Sequence, residues 1–452
     1  MSRRPRAGAR RRVVILGAAG RDFHDFLTCF RGRDDARVVA FTAAQLPGID
    51  GRVFPAALAG PGYPRGIPIL PEAELAALIE AREVDEVVLS YSDLAHVDVM
   101  HLATVALAAG ADFRLLAPAR TMLRARRPVV AVCAVRTGCG KSQVARRVVA
   151  LLRAAGRRPV IVRHPMPYGD LRAQRAQRFA SLEDLDRAGC TIEEREEYEP
   201  HLRAGTVVLA GVDYAQVLRL AEAEADVIVW DGGNNDAPFF APDLSICVVD
   251  PHRPGHETTY HPGELNLRQA DVVVVNKLDT APPEGVAAVL RAVRGLPRRP
   301  LVVRADSEVT ADHPELARGR RVLVVEDGPT LTHGGMAFGA GTVLARRLGA
   351  RPVDPRPHAR GSLRGVFARN PHLGPVLPAM GYGPRQVAEL ARTIEATPCD
   401  AVVDGSPFDL ARLLRVSRPV VRVAYELRER GRPTLATALT RAGLLPARRG
   451  RS

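Results

Sequence analysis

The chain has 452 residues, enough for two or three cores of ordinary size. Its 46% hydrophobic and 25% charged content is that of a globular protein, and no apolar run reaches the roughly 18 residues of a membrane helix, which speaks against a membrane partner. The formal net charge of +14 fits a polyanionic small molecule better than nucleic acid, because no RRM, helix-turn-helix or zinc-finger pattern accompanies it.

Residues 3–12 are basic, but the apolar run after them is short and meets Gly17 at once, so it reads as a first strand and not as a secretory signal. Short β-branched runs then alternate with helical stretches, the pattern of βα units stacked around parallel sheets. The first block has predicted strands at 13–16, 38–41, 86–91 and 113–116, with helices at 72–81 and 94–109 among them. A basic connector at 124–128 leads to a second block, with strands at 129–135, 160–162, 227–230, 246–249, 272–275 and 301–303. Strands at 322–325, 401–403 and 420–423 extend that sheet or build a C-terminal lobe, with the Pro/Arg-rich segment 351–360 as a linker. Between 164 and 207 lies an insertion with two capping-box starts, SLED at 181–184 and TIEE at 191–194. Its acidic run 193–199 reads as a solvated helix face, with a lid or subunit contact as the other reading. The six cysteines (29, 133, 139, 190, 247 and 399) form no CxxC pair, which predicts a reduced, cytoplasmic protein.

Lysine occurs only at 141 and 277; every other basic residue is arginine. An ammonium is a compact point charge and a guanidinium a planar fork, so these two places have a local reason for lysine. The first is VRTGCGKS at 135–142, between a continuous apolar strand and a helix with apolar residues at 144, 148, 151, 152 and 155. Strand, glycine loop and helix are the setting of a P-loop. There Gly138, Cys139 and Gly140 turn backbone N–H groups toward phosphate, Lys141 bridges the β- and γ-phosphates and Ser142 ligates Mg2+. Val135 replaces the usual first glycine, and Arg136 stands where one P-loop subclass carries a second basic residue that reaches phosphate across a dimer. The run DVIVWDGGNND at 226–236 resembles a Walker B strand, with Asp231 as a direct or water-mediated Mg2+ ligand and Gly232 or Gly233 offering an N–H to the γ-phosphate. The second lysine falls in NKLD, residues Asn276, Lys277 and Asp279, which matches the guanine-reading motif of P-loop GTPases. The expected organisation is therefore α/β: an N-terminal Rossmann-like parallel-sheet domain (1–125), a P-loop nucleotide-binding domain (126–350) and a C-terminal α/β extension (351–452).

Other polar clusters follow strands, where open α/β sheets bind ligands. GAAGRD at 17–22, with His24, places Arg21 at a helix start suited to phosphate; a tight structural turn is the alternative. SYSD at 90–93 puts Asp93 in the same crevice. RHPMPYGD at 163–170 gives Arg163 and His164 as acceptor-holding groups, and DPHRPGHE at 250–257 gives Arg253 and His256. His252, His256 and His261 fail the HExxH spacing because Tyr260 interrupts it, leaving anion-binding or acid–base histidines or a structured loop. EDGPTLTHGG at 326–335 is a further polar loop whose role stays open.

Taken in order, VVILGAAGRDFHDF, FTAAQLPGI, VVLSYSDL, AVRTGCGKS, VRHPMPYGDL, VIVWDGGNND, VDPHRPGHE, VVVVNKLDT and VEDGPTLTHGGM resemble the cyclic 2,3-diphosphoglycerate synthetase family over nearly the whole chain. The resemblance implies ATP-driven closure of 2,3-diphosphoglycerate into its cyclic phosphoanhydride, with release of ADP and phosphate and with ATP and Mg2+ as cofactors. In that reaction Lys141, Arg136, Arg163, His164, Arg253 and His256 take the expected catalytic parts, and the separate N-terminal block, with its glycine turn at a helix start, is expected to be the acceptor-phosphate domain through Arg21, His24 and Asp93. A homodimer is the expected assembly. The alternatives are a GTP switch or metallochaperone-type GTPase, and a carboxylate-activating ligase of the dethiobiotin synthetase kind.

Overall fold

The structure, a computed structural model, describes residues 10–44, 49, 51–166, 169–380 and 384–446. Of the segments singled out above, 3–9, 45–48, 167–168 and 447–452 lie outside the described residues. The α/β class holds: among the described residues two large sheets, parallel in most pairings, are joined by a two-stranded antiparallel sheet of Leu94–Ala95 and Tyr260–His261. The first sheet has six strands, ordered Val53–Phe54, Ile67–Pro71, Ala36–Ala43, Arg11–Leu16, Glu86–Leu89, Asp112–Leu115. All its pairings are parallel except the first. Along Arg11–Leu16, Val13 and Ile15 enter one core cluster while Val14 and Leu16 enter another. Period-two alternation with both faces apolar is what a strand covered by helices on both sides requires.

The second sheet has thirteen strands. At its heart Val129–Ala134 lies between Val227–Asp231 and Leu244–Val249, all parallel, and Pro159–Arg163 lies beyond Val227–Asp231. Here too Val130, Val132 and Ala134 face one cluster and Val129, Ala131 and Cys133 the other. The sheet continues through Val272–Val275 to Leu301–Ala311, and there its direction changes. Residues 304–311 pair antiparallel with Val420–Arg430, and that strand leads parallel into Ala401–Gly405 and Arg321–Asp327. The expected strands 301–303 and 420–423 cover only the apolar beginnings of these two strands of 11 residues each. Their second halves alternate charged residues, stitched across the ladder by Arg430–Asp306 at 2.7 Å and Arg428–Glu308 at 3.6 Å.

The C-terminal cluster runs from Val309 to Val423, apart from Ile192 of the insertion, so a division at 350/351 passes through one core. The segment 351–360 is packed: Arg351–Pro352 pairs with Arg321–Asp327, and Ala359 is buried. The last helix, Leu435–Arg441, returns to the P-loop core through Leu435, Ala438 and Leu439.

Both expected capping boxes are present, at Ser181/Asp184 and Thr191/Glu194. The acidic run, however, is not a solvated face. In the helix Ile192–Arg203, Glu193, Glu194, Arg195, Glu196 and Glu199 are all buried. Ile192 joins the C-terminal cluster while Tyr198 and Leu202 join the P-loop core, so the helix is wedged between the two lobes. Burial of its charges is sustained by partners: Arg195 pairs with Glu199 (3.2 Å) and Asp186 (2.5 Å), and Arg163 with Glu197.

Candidate active site

The glycine loop ends the Val129–Ala134 strand and starts the helix Lys141–Ala154. Gly138 and Gly140 have φ of +82° and +99°, conformations that a side chain strains. A Cβ on Gly140 would stand 2.3 Å from Asn276 Nδ2, so that glycine is also fixed by close approach. The loop is braced from behind. Asn276 Nδ2 donates to the carbonyl of Cys139 (2.9 Å), Lys277 Nζ to that of Gly138 (2.6 Å) and to Asp250 (2.7 Å). Arg253 donates to the carbonyls of Thr137 (2.8 Å) and Gly334 (2.6 Å) and pairs with Asp250 (3.0 Å). Burial raises the Asp250 carboxyl, but Lys277 and Arg253 outweigh it and hold it well below the usual range. Arg253 is thus a scaffold of the P-loop and does not reach toward an acceptor. Asp279 accepts from the Ser307 amide (3.1 Å) and Arg347 (3.1 Å). Its carboxylate ties the two halves of the sheet together and is not presented to a guanine.

Adjacency of Val227–Asp231 and Val129–Ala134 brings Asp231 to Lys141. Asp231 is fully buried and takes Lys141 on Oδ1, then Arg163 (2.8 Å) and His201 Nε2 (2.9 Å) on Oδ2. Burial alone would raise its pKa; Arg163 and Lys141 reverse that and hold it ionised. Burial, then Arg163, brings the Lys141 ammonium down to about 8 against the pull of Asp231. With both oxygens engaged, Asp231 does not fit as a direct Mg2+ ligand; Ser142, which lines the cavity at the loop, fits as one. Gly232 and Gly233 do not line that cavity; Gly233 packs on His164, whose Cβ is 3.0 Å from where its own would be. Asn235, two residues on, does line it and donates to Thr137 Oγ1 at 3.3 Å.

The N-terminal residues form a joint and not a pocket. At the GAAGRD turn the Asp22 carboxylate accepts the amides of Ala19, Gly20 and Phe23 at 2.8–3.0 Å. The N–H groups a phosphate would need are already engaged by the chain's own carboxylate. Arg21, only 9% exposed, donates to the Ala237 carbonyl (3.0 Å) and to Thr121 (3.3 Å). His24 donates through Nε2 to the Thr121 carbonyl (2.7 Å) and stacks on Phe239 at 4.3 Å, and burial pulls its pKa down to about 3. Both are corrections: these side chains dock the first sheet onto the P-loop domain. His164 belongs to the same joint, against Gly20 and 3.3 Å from Asp236, which also receives the Ser92 hydroxyl.

Arg136 is likewise engaged within its own chain. It pairs with Asp93 (2.7 Å), donates to the His333 carbonyl (2.5 Å), contacts His256 Nδ1 (3.2 Å) and lies over Tyr260 at 3.7 Å. The three histidines of 252–261 diverge: His252 meets Thr280 (2.9 Å), His256 buttresses Arg136, and the His261 carbonyl accepts from the Asp93 amide. Among the described residues no group of three or more His, Cys, Asp or Glu could hold a metal ion.

The loop opens onto a cavity of about 220 Å³. Its floor holds Lys141 and Ser142; one wall is the helix face Glu193, Glu196, Glu197 and Pro200. That spacing is i, i+3, i+4, i+7, a single helical stripe. The opposite wall is the C-terminal lobe, through Glu326, Asp327 and Phe338 among others. Glu326 is committed there: it accepts from the amides of Gly339, Gly341 and Thr342 at 2.8–3.1 Å. Beside the P-loop the cavity is thus walled by the acidic helix and the C-terminal lobe, and no described residue of the N-terminal block lines it. EDGPTLTHGG was visible in the sequence as a polar loop; Glu196 was hidden in a run that looked solvated, and His201 carried no signal. No helix among the described residues is long and apolar enough to cross a membrane.

No family model matches the sequence. Solved structures overlay loosely. LpxK from Aquifex aeolicus in complex with ATP gives a TM-score of 0.43 at 12% identity over 71% of this chain and 90% of that one. UDP-N-acetylmuramate:L-alanyl-gamma-D-glutamyl-meso-diaminopimelate ligase from Neisseria meningitides gives 0.28 at 12% identity over 67% and 82%. Neither bears on function at that similarity. A protein from Thermococcus kodakarensis strain KOD1 named arginine synthetase ArcE is 56% identical over 431 residues, 95% of this chain and 96% of its own. On that identity and coverage, the chain belongs to the arginine synthetase ArcE family.

Proposed function

We propose that the protein is an ATP-dependent ligase that forms arginine. The observation that carries this reading is that one cavity sets carboxylates, Glu193, Glu196 and Asp327 among them, beside the phosphate-binding residues Lys141 and Ser142, so that a cationic group can be held next to the nucleotide. The 56% identical relative, named an arginine synthetase, supports it. Removing ammonia from a guanidinium and adding water leaves a ureido group, so the substrates are ureido amino acid (citrulline), ammonia and ATP. The ureido oxygen attacks the γ-phosphorus and ADP leaves. Ammonia then adds to the carbon, and phosphate departs with the former ureido oxygen. Lys141, held by Asp231 at the cavity floor, binds the phosphates and neutralises charge developing during transfer. Mg2+, held in part by Ser142, would supply further neutralisation of the phosphates.

The test is turnover with citrulline labelled with oxygen-18 in the ureido group, plus ATP, Mg2+ and ammonium. Arginine and ADP should appear in equal amounts, with the label in phosphate. ATP consumption without arginine overturns the reading.

The motifs RHPMPYGD and DPHRPGHE favour a second reading, cyclisation of 2,3-diphosphoglycerate, which begins with the same transfer of the γ-phosphoryl group. Phosphorus NMR of a reaction with that substrate separates the two, because the cyclic anhydride has its own resonance.

A further inference from the structure

The acidic helix Ile192–Arg203 engages several of its carboxylates with partners of its own. Glu194 caps its own helix and accepts from the Met166 amide (3.2 Å), Glu197 contacts Arg163, and Glu199 pairs with Arg195 and Arg203. Glu196 is 8% exposed, lines the cavity, and its Oε1 is buried without a hydrogen-bond partner. Its electrostatic neighbours are Asp327, Glu193 and Asp404, all acidic, and with burial they push its carboxyl well above the usual range. Of the two guanidiniums that line the cavity, Arg136 pairs with Asp93 and Arg146 is turned to Tyr425, donating to its carbonyl at 3.2 Å. A buried carboxylate among like charges is a costly arrangement unless a cation arrives to complete it. Position says which cation. Glu197, on the same helical stripe, contacts Arg163, which pairs with the Asp231 that holds Lys141. The stripe therefore lies at the phosphate-transfer end of the cavity, where the reacting carbon of the substrate must sit.

We propose that Glu196 receives the guanidinium of arginine, pairing with the nitrogens on the carbon that exchanges oxygen for nitrogen. This rests on the arginine-forming reading and adds to it the residue that distinguishes the cationic product from the neutral ureido substrate. A carboxylate matches the planar fork of a guanidinium in a way that a neutral amide does not.

Titration calorimetry on the full chain, wild type against Glu196→Gln, tests this with L-arginine, Nα-acetylarginine, citrulline, ATP and Mg2+ alone. The expected result is a loss of roughly 10- to 100-fold in affinity for arginine, the range of a charge-assisted contact. Nα-acetylarginine, whose α-ammonium is blocked, should lose as much; citrulline and ATP should change little. The ligand-free variant should melt higher, since an amide is buried there without the cost of taking up a proton. Equal losses for arginine and citrulline, a loss that vanishes with Nα-acetylarginine, or a loss of Mg2+ binding each overturn the assignment. If Glu196→Gln does not fold, Glu196→Asp, which keeps the charge on a shorter arm, must still bind arginine more weakly than wild type while ATP binding holds. A wild type that forms arginine beside a variant with unchanged affinities sinks this inference alone. A wild type that neither forms nor binds arginine sinks the ligase reading with it.

Discussion

Asp93, at the end of a first-sheet strand, and Arg136, in the P-loop, pair at 2.7 Å with each side chain only 6% exposed. The ion pair spans the two sheets and sets the Arg136 end of the glycine loop from outside the P-loop domain. Removing one partner leaves the other charge buried and uncompensated, which costs about 3–5 kcal/mol. Asp93→Ala should therefore lower the midpoint of urea unfolding and raise KM for ATP. The double variant Asp93→Ala/Arg136→Ala should recover part of the stability, and additive losses would show that the pair is uncoupled.

Lys141→Ala should leave the fold intact and remove turnover. Asp231 keeps Arg163 and His201 when the ammonium is gone, so the buried carboxylate stays compensated. A fall in kcat of at least about a hundredfold is expected when a charge-stabilising group of a transfer site is lost. Steady-state kinetics with a melting curve for the same sample decides it; a variant that keeps a tenth of wild-type ATP consumption would remove the P-loop from the mechanism.

Arg21→Ala separates a structural joint from an acceptor anchor. Its guanidinium binds the Ala237 carbonyl and Thr121, and Asp22 fills the amide turn beside it. The variant should lose stability while KM values for ATP and for the acceptor stay near wild type. A large rise in acceptor KM at unchanged stability would restore the N-terminal block as a substrate domain.

The nucleotide half of the site was legible because its parts are local. Strand, glycine loop and helix fall within 129–154, and the two lysines stand out against an arginine background. The sheet cores were legible for the same reason, as apolar runs of four to six residues bounded by turns. The rest of the cavity wall was not, because it is assembled from segments more than a hundred residues apart. Glu196 and Asp327 meet only after Leu301–Ala311 has paired with Val420–Arg430, a long-range contact that no local pattern announces. A buried acidic helix reads as a solvated one from sequence, since its compensating partner Arg163 lies on another element. The N-terminal turn misled for a different reason: a glycine turn at a helix start binds an external anion or its own aspartate, and Asp22 is the aspartate.

Acid acts on the folded chain through buried histidines, and burial gives the sign of their effect. Burial pulls the pKa of His24 down to about 3, and that of His201 down to about 4 even though its Nε2 bonds Asp231. Both therefore stay neutral in the folded chain while in the unfolded chain they take up a proton near the ordinary value of roughly 6.5. A depressed folded pKa contributes stability that is fully present above the unfolded value and is lost as pH falls toward the folded one. Between about pH 6 and 5 each histidine should remove up to about 1.4 kcal/mol per pH unit, since the unfolded state binds one more proton than the folded state. Buried carboxyls raised into this range, Asp22 to about 7 and Asp25 and Asp404 to about 6, act with the opposite sign, so the test is a difference: in urea unfolding across pH 7.5 to 5, wild type should lose stability relative to His24→Gln with a slope of close to one proton. An unchanged slope in His24→Gln would mean that the joint between the two sheets admits a charged imidazole. The stacking of His24 on Phe239 at 4.3 Å and its 1% exposure argue otherwise.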